Sequence, residues 1–291
     1  MMTTGPTLDA LISLLDDQDE LVFSSVKEKL LSLGSGILPK LEDALLMVES
    51  IEHAKKLEEI ISHFKREILI DRMKEWIGSE NRTLTNGWLL VSSIHHPNIS
   101  KEKIENNLQK IYREAWLEIT ESMTSLEKVA VINHILFKIN LFEISNSDTP
   151  KVENIILDKF LFSKIGDVYS LTILYLIIAR NLHLDLIPIM LANKLLLVYE
   201  DNLAASLAFG ALSEKYLFYI NVAHRGSVIS PKEVQFLYDR SQKYGKNITR
   251  IETDISLIKK LLNLMYLIYT NEGEQEKLLL TEDLLALLEN Y

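Results

Sequence analysis

The residues whose types and spacing could support catalysis are concentrated at the start of one predicted helix, Gly166-Asp167-Val168-Tyr169-Ser170. A helix N-terminus presents unpaired backbone N–H groups and a positive dipole, and both lower the pKa of a nucleophile placed there. Val168 occupies the first helical position and carries no nucleophile. Ser170 lies in the first turn, where serine usually acts as a cap or meets solvent. Asp167 is predicted to be the N-cap.

No other group of side chains predicts a metal or cofactor site. The chain contains no cysteine, which excludes thiolate catalysis, disulfides and zinc–thiolate sites. His95 and His96 are adjacent, so on a helix their side chains point about 100° apart and do not chelate one metal ion together. Neither a Gly-x-Gly-x-x-Gly loop nor a Walker-type loop is present. We therefore expect no metal and no cofactor.

The balance of charge argues against nucleic acid as a partner. The formal net charge is −10 at pH 7, whereas phosphate contacts need clustered Lys and Arg. The N-terminus has neither a basic nor an apolar segment, so no signal peptide is predicted. The most apolar run, residues 168–179, is well short of the roughly 20 residues that a membrane-spanning helix needs. We expect a cytoplasmic protein that binds neither nucleic acid nor membrane.

The first third of the chain predicts paired helices. Apolar residues at helical spacing follow an acidic cap segment, and a Gly-Ser-Gly turn then leads to Pro39 just inside the next helix. This order resembles one HEAT-type helical repeat, and the plain alternative is an antiparallel helix pair. A single repeat cannot bury its own apolar face, so we expect it to pack on neighbouring helices. We assign residues 1–99 to this region.

Strand-like runs begin only after residue 184. Short apolar runs bounded by turn residues predict strands at 185–190, 194–199, 216–220 and 227–229. Four short strands beside one long apolar helix predict a small antiparallel sheet in an α+β, predominantly helical fold. The end of the chain predicts a C-terminal helical hairpin, which resembles a single tetratricopeptide-type unit. We therefore divide the chain into residues 1–99, 100–245 and 246–291.

Three groups of segments occur in an order that is similar to the core of a known superfamily. They are Thr124-Ser125-Leu126-Glu127-Lys128-Val129 with Asn133-His134-Ile135-Leu136-Phe137; Ser170-Leu171-Thr172-Ile173-Leu174-Tyr175-Leu176 with Ala179-Arg180-Asn181-Leu182; and Phe218-Tyr219-Ile220-Asn221 with Gly226 and Ser230-Pro231-Lys232-Glu233-Val234. The ordered set, over roughly residues 123–235, resembles the degenerate SirB-type branch of the transglutaminase-like superfamily. The resemblance implies a papain-like core, with an apolar helix beside a small antiparallel sheet.

The resemblance also implies where a catalytic triad would lie. Active members use a cysteine at the start of the core helix, a histidine on a following strand and an acidic or amide group on the next strand. By order and spacing these positions fall at Val168, Lys194 and Asn221. Valine cannot attack a carbonyl and lysine is protonated near neutral pH, so no catalytic residue is carried over. Together with Tyr169, these positions are expected to line a vestigial cleft in which Lys194 contacts an anion.

These expectations favour a catalytically inactive family member that acts as a protein-interaction or scaffold module, with a protein or peptide as partner. The alternative is a hydrolase or transferase that uses an unrelated site, for example two carboxylates converging in a closed apolar pocket. A third interpretation is an all-helical repeat scaffold without a papain-like core. Four strands between residues 185 and 230 would exclude that third interpretation.

Overall fold

The computed structural model describes residues 5–17, 19–147, 149–191, 193–200, 216–243 and 250–289. The chain forms two compact units, Met1–Glu75 and Trp76–Tyr291, each described by itself below. The domain boundaries placed at residues 99 and 245 remain predictions, because compactness does not test where one family module ends and the next begins.

Helices dominate the structure, as the composition predicts. In chain order they are α1 Gly5–Leu14, α2 Glu20–Ser32, α3 Leu38–Met47, α4 Ile51–Gly78, α5 Leu84–Ser93, α6 Lys101–Glu118, α7 Ser125–His134, α8 Leu157–Ser163, α9 Val168–Asn181, α10 Pro231–Lys243, α11 Asp254–Glu272 and α12 Gln275–Leu287. A π-helical turn, Ile135–Ile139, follows α7. No helix in the described parts of the chain is both long and apolar enough to cross a bilayer.

The first unit is built from helices that start and stop where the sequence predicts. Oδ1 of Asp19 accepts a hydrogen bond of 2.9 Å from the backbone N–H of Leu21 and so caps α2. Gly34, at φ 77°, turns the chain after α2, and Pro39 lies in the first turn of α3. The predicted helix pair is therefore present, and its HEAT-type ancestry stays a prediction. The apolar faces share one buried core, formed by Leu8, Ile12, Leu15, Val26, Leu30, Ile37, Leu41, Leu57, Ile60, Ile61 and Phe64.

In the second unit, α6 is amphipathic, with apolar residues at helical spacing along one side. The side chain of Ser100 accepts a hydrogen bond of 3.3 Å from the N–H of Lys103 and caps the helix. The inward stripe is buried at Ile104, Leu108, Ile111 and Ala115. The opposite side of α6 is exposed, as the period of 3.6 residues requires.

The four predicted strands are present, together with three short ones that the sequence did not reveal. The strands are β1 Glu143–Ile144, β2 Ile165–Gly166, β3 Leu186–Leu191, β4 Lys194–Glu200, β5 Tyr216–Asn221, β6 Ser227–Ile229 and β7 Arg250–Ile251. One antiparallel sheet has the order β6-β5-β4-β3-β7, and β1 and β2 form a separate parallel pair. The interpretation as an all-helical scaffold is therefore wrong.

The larger sheet is covered on both faces, which explains the continuous apolar runs of its strands. Residues directly opposite in the register share a face, so the pairs Val198↔Tyr219 and Ile189↔Leu196 define one side. The buried cluster on that side includes Val234 of α10 and, among the residues that the structure describes, none of α9. Helix α9 therefore packs against the other face.

The predicted C-terminal hairpin is formed by α11 and α12. Thr253 caps α11 by accepting a hydrogen bond of 3.1 Å from the N–H of Ser256, and Gly273, at φ 73°, ends it in the left-handed conformation. Apolar residues at helical spacing on α11 are buried, among them Ile258, Leu261, Leu262, Met265 and Ile268. The tetratricopeptide-type ancestry of this hairpin stays a prediction.

Candidate functional site

The start of α9 is closed by the carboxylate of Asp167. Its Oδ1 accepts hydrogen bonds from the backbone N–H groups of Tyr169, at 2.6 Å, and Ser170, at 3.2 Å. Its Oδ2 accepts a bond of 2.7 Å from the hydroxyl of Ser170, a side chain that is fully buried. Burial raises the pKa of Asp167, against the hydrogen bonds from Ser170 and Tyr169, which lower it. The predicted N-cap is confirmed.

Gly166 allows this turn to approach the core closely. A Cβ at this position would lie 2.5 Å from the ring of Phe160, a buried residue of α8. Gly166 also pairs with Ile144 across the β1–β2 ladder, which fixes the chain directly before α9. The helix start is therefore held from both sides, by the aromatic ring and by the parallel strand pair.

The cap uses hydrogen-bond donors in the first turn of α9. A nucleophile at position 168 would gain from free N–H groups in the first turn, which stabilise an anion. Two of those groups, on Tyr169 and Ser170, are already bound to Asp167. Ser170 donates its own proton to the same carboxyl group. The arrangement holds the carboxyl group of Asp167 against two backbone N–H groups and one hydroxyl group.

Two further charged residues, which no sequence motif indicates, lie beside Tyr169. Nζ of Lys260, on α11, lies 5.5 Å from the centre of the Tyr169 ring and 3.8 Å from Oε1 of Glu252. Glu252 is buried directly after β7, and its N–H donates a bond of 2.8 Å to the carbonyl of Pro188. Burial raises the pKa of Tyr169, and the charges of Asp167 and Glu252 raise it further.

Lys194 and Asn221 share a sheet face, but that face is the one turned away from α9. Lys194 pairs with Leu191, and Asn221 lies two residues after Tyr219 on β5. Leu191 and Tyr219 belong to the buried cluster on the α10 side of the sheet. Because side chains alternate between the two faces along a strand, Lys194 and Asn221 also lie on the α10 side. Residues of the α9 side are instead Leu195, Leu197 and Ile220, all buried.

The structure therefore does not gather the four expected cleft residues into one site. Val168 and Tyr169 lie in the first turn of α9, whereas Lys194 and Asn221 point from the opposite face of the sheet. Within the described ranges, no hydrogen bond, ion pair or ring contact joins the first two residues to the last two. Their correspondence to the family's catalytic positions stays a prediction.

A buried polar network beside α9 ties the core together. Oδ1 of Asn133, on α7, accepts a hydrogen bond of 3.0 Å from the hydroxyl of Tyr175, and Nδ2 of Asn133 donates one of 2.8 Å to the carbonyl of Gly226. Tyr175 is fully buried, and burial raises the pKa of its hydroxyl. The network joins α7, α9 and the turn before β6.

The two adjacent histidines have separate partners. His95 stacks on Tyr269, with ring centroids 6.2 Å apart, and Nδ1 of His96 lies 2.8 Å from Oδ2 of Asp158. Burial and the charge of Lys277 lower the pKa of His95. Over the part of the chain that the structure covers, no group of three or more His, Asp or Glu residues is placed to hold a metal ion.

Comparison with known proteins identifies the family of this domain. Residues 102–263 match the family model of the transglutaminase-like superfamily, a longer stretch than the motifs that suggested the resemblance. No curated protein and no solved structure matches the chain. The match covers more than half of the chain and includes α9 with its sheet, the two elements that carry the core in the structure. The chain belongs to the transglutaminase-like superfamily.

Proposed function

We propose that this chain is a catalytically inactive member of its superfamily and acts in the cytoplasm as a protein-interaction or scaffold module. The observation that carries the proposal is the closure of the α9 N-terminus by Asp167. The first-turn N–H groups, which would lower the pKa of a nucleophile, are used to bind a carboxylate of the chain itself. Val168 stands where the family nucleophile is expected.

The proposal is tested by searching for turnover on amide substrates. The purified full-length chain is incubated with a fluorescent primary amine and a glutamine-containing peptide, and separately with chromogenic amides and esters. We expect no product above the buffer background. Product formation by the wild type that is lost in Ser170→Ala or in Asp167→Asn would refute the proposal, because both side chains belong to the closed helix start.

The alternative, a hydrolase or transferase with an unrelated site, is favoured by one observation. Two acidic side chains, the half-buried Asp167 and the buried Glu252, each raise the pKa of Tyr169. Each has a structural role, since Asp167 caps α9 and Glu252 faces Lys260. Turnover that is lost in Glu252→Gln and retained in Ser170→Ala would establish this alternative.

The vestigial cleft remains part of the proposal in a narrower form. Lys194 is exposed at the start of β4, on the same face as Asn221, so these two residues form the part of the expected cleft that can meet a ligand together. The double variant Lys194→Glu/Asn221→Ala is expected to lose any stabilisation that inorganic phosphate gives the wild type in a thermal melt. Equal stabilisation of both proteins would show that these residues do not bind the anion.

A further inference from the structure

Large apolar side chains are exposed beside the C-terminal half of α6. Leu117 is 70% exposed, Leu141 is 66% exposed and Phe162 is 89% exposed. Phe160, two residues before Phe162, is buried against Trp88 and Phe142, so Phe162 points away from the core, since two residues of a helix turn the direction by about 200°. We call these residues, together with the exposed Ile139 and Ile165, the α6–α8 surface.

The segments of this surface are fixed to one another by hydrogen bonds. The N–H of Glu143 donates a bond of 2.9 Å to the carbonyl of Lys164, within the β1–β2 pair. Nδ2 of Asn140 donates a bond of 2.8 Å to Oε2 of Glu114, which ties the segment before β1 to α6. The exposed apolar side chains therefore stand on a defined framework that includes α6, α8 and the strand pair.

The framework holds two residues in a costly backbone conformation. Leu141 has φ 57° and Lys164 has φ 65°, the left-handed region that side chains other than glycine rarely occupy. Leu141 adopts this conformation although its side chain is exposed and adds nothing to the core. Backbone strain of this kind clusters at ligand clamps and switch regions.

The same surface carries three basic side chains, Lys110, Arg113 and Lys164, around one acidic side chain, Glu114, in a chain of net charge −10. Lys110, Arg113 and Glu114 line a groove of about 290 Å³ that also contains Leu117, and Nζ of Lys110 lies 4.0 Å from Oε1 of Glu114. Nζ of Lys164 lies 4.5 Å from the centre of the Phe142 ring. Burial and the charge of Lys110 lower the pKa of Lys164, and Glu114 acts in the opposite direction. A partner carboxylate at this place would offset both the burial and the repulsion between the two lysines.

We propose that the α6–α8 surface binds an acidic amphipathic segment of a partner protein. Apolar side chains of the segment cover Leu141 and Phe162, and a carboxylate lies beside Lys110 and Lys164. The proposal rests on the interaction role proposed above and assigns it a surface and a partner chemistry. A second copy of this chain would bring its whole net charge of −10, and an anionic bilayer would bring an extended negative surface, so the net charge of the chain repels both. A short acidic segment brings few charges and can place them beside Lys110 and Lys164.

The experiment selects ligands from a library of random peptides displayed on phage, with the full-length wild type as the target. Selected peptides are synthesised, and their affinities are measured by fluorescence polarisation. We expect sequences that combine Asp or Glu with large apolar residues. We expect Phe162→Ser and Lys110→Glu each to weaken binding by about tenfold or more. The matched control is Leu46→Ser, since Leu46 is 83% exposed in the first unit, and its binding should equal that of the wild type.

Four results would overturn the proposal. Selected peptides without acidic residues would show that negative charge is not needed for binding. Equal peptide affinity for wild type and Phe162→Ser would show that the α6–α8 surface is not the binding site. Co-sedimentation of the wild type, but not of Phe162→Ser, with phosphatidylcholine–phosphatidylserine vesicles would assign the surface to a membrane. Self-association in sedimentation velocity that Phe162→Ser abolishes would assign it to a second copy. Turnover on amides would refute the proposed inactivity separately, because these readouts do not depend on it.

Discussion

Ser170 donates a hydrogen bond of 2.7 Å from its hydroxyl to Oδ2 of Asp167, three residues earlier, while Oδ1 of Asp167 accepts the backbone N–H groups of Tyr169 and Ser170. One carboxyl group thus takes the hydroxyl and two N–H groups of the first turn of the core helix. In a thiol enzyme of papain-like fold, this turn is where the nucleophile gains its reactivity. The relationship gives the proposed inactivity a physical cause in addition to the missing nucleophile.

The closed cap predicts how a cysteine placed at the start of α9 would behave. Val168→Cys introduces the only thiol of the chain, so its alkylation is free of background. Because Asp167 already binds the N–H groups of Tyr169 and Ser170, we expect the thiol pKa to be no lower than the ordinary value of about 8.5. The measurement is the rate of iodoacetamide alkylation as a function of pH.

The matched variant for that experiment is Asp167→Gly in the Val168→Cys background. Glycine is tolerated at an N-cap and frees the two N–H groups, so we expect the thiol pKa to fall. A thiol pKa well below 8.5 with Asp167 in place would contradict the idea that the cap blocks activation.

Burial of Asp167 predicts a pH dependence of stability. In the unfolded chain this carboxyl group titrates near its ordinary pKa of about 3.9, and burial raises the pKa in the folded state. The folded state then binds the proton more tightly, so the contribution to stability falls as pH rises from about 4 through the folded pKa. The free energy of unfolding of the wild type, minus that of Asp167→Asn, should fall over this range in urea titrations followed by circular dichroism.

Glu127 provides the control with the opposite sign. Hydrogen bonds from the backbone N–H and hydroxyl of Thr124 lower the pKa of this exposed carboxylate. The free energy of unfolding of the wild type, minus that of Glu127→Gln, should therefore rise as the pH increases from the folded pKa of Glu127 to its ordinary pKa. The same sign for both variants would show that burial does not govern Asp167.

Gly226 should be the glycine of the core that is most sensitive to substitution. It has φ 71°, and a Cβ there would lie 1.8 Å from Oδ1 of Asn133, the acceptor of the Tyr175 hydroxyl. Gly226→Ala combines backbone strain with the loss of two hydrogen bonds, and we expect a cost of about 3 kcal/mol. Gly273→Ala is the control, since its φ is 73° with no atom within 4 Å, and strain alone costs about 1 kcal/mol. Equal losses in chemical denaturation would exclude the clash.

Tyr175→Phe tests the same network from α9. The variant removes the buried hydroxyl that donates to Oδ1 of Asn133 and leaves this half-buried acceptor without that donor. We expect it to reduce the free energy of unfolding by about 1–3 kcal/mol. Tyr112→Phe, on the partly buried side of α6, serves as the control and should change stability by less than about 0.5 kcal/mol. An unchanged midpoint for Tyr175→Phe would show that the hydrogen bond contributes nothing measurable.

The helices and the four longer strands could be predicted because their signals are local. The apolar stripe of α6 and the inward residues of α11 repeat at helical spacing, and all of these inward residues but Tyr112 and Ile119 are buried in the structure. The short strands β1, β2 and β7 contain two residues each, too few for any periodic signal. These strands form because each one pairs with a strand that is distant in the sequence, β1 with β2 and β7 with β3.

The sequence by itself determined the predominantly helical α+β fold, the superfamily, the N-cap at Asp167 and a valine at the start of the core helix. Only the tertiary structure decided which groups meet. It brought Glu252 and Lys260 to Tyr169, joined Asn133 to Gly226 across 93 residues, and placed Lys194 and Asn221 on the sheet face away from α9. It also left Phe162 exposed although Phe160 is buried. Caps and periodic patterns depend on neighbours a few residues away in the sequence. The relationships listed here depend instead on how separate elements pack and on which face of the sheet each strand residue takes through its register.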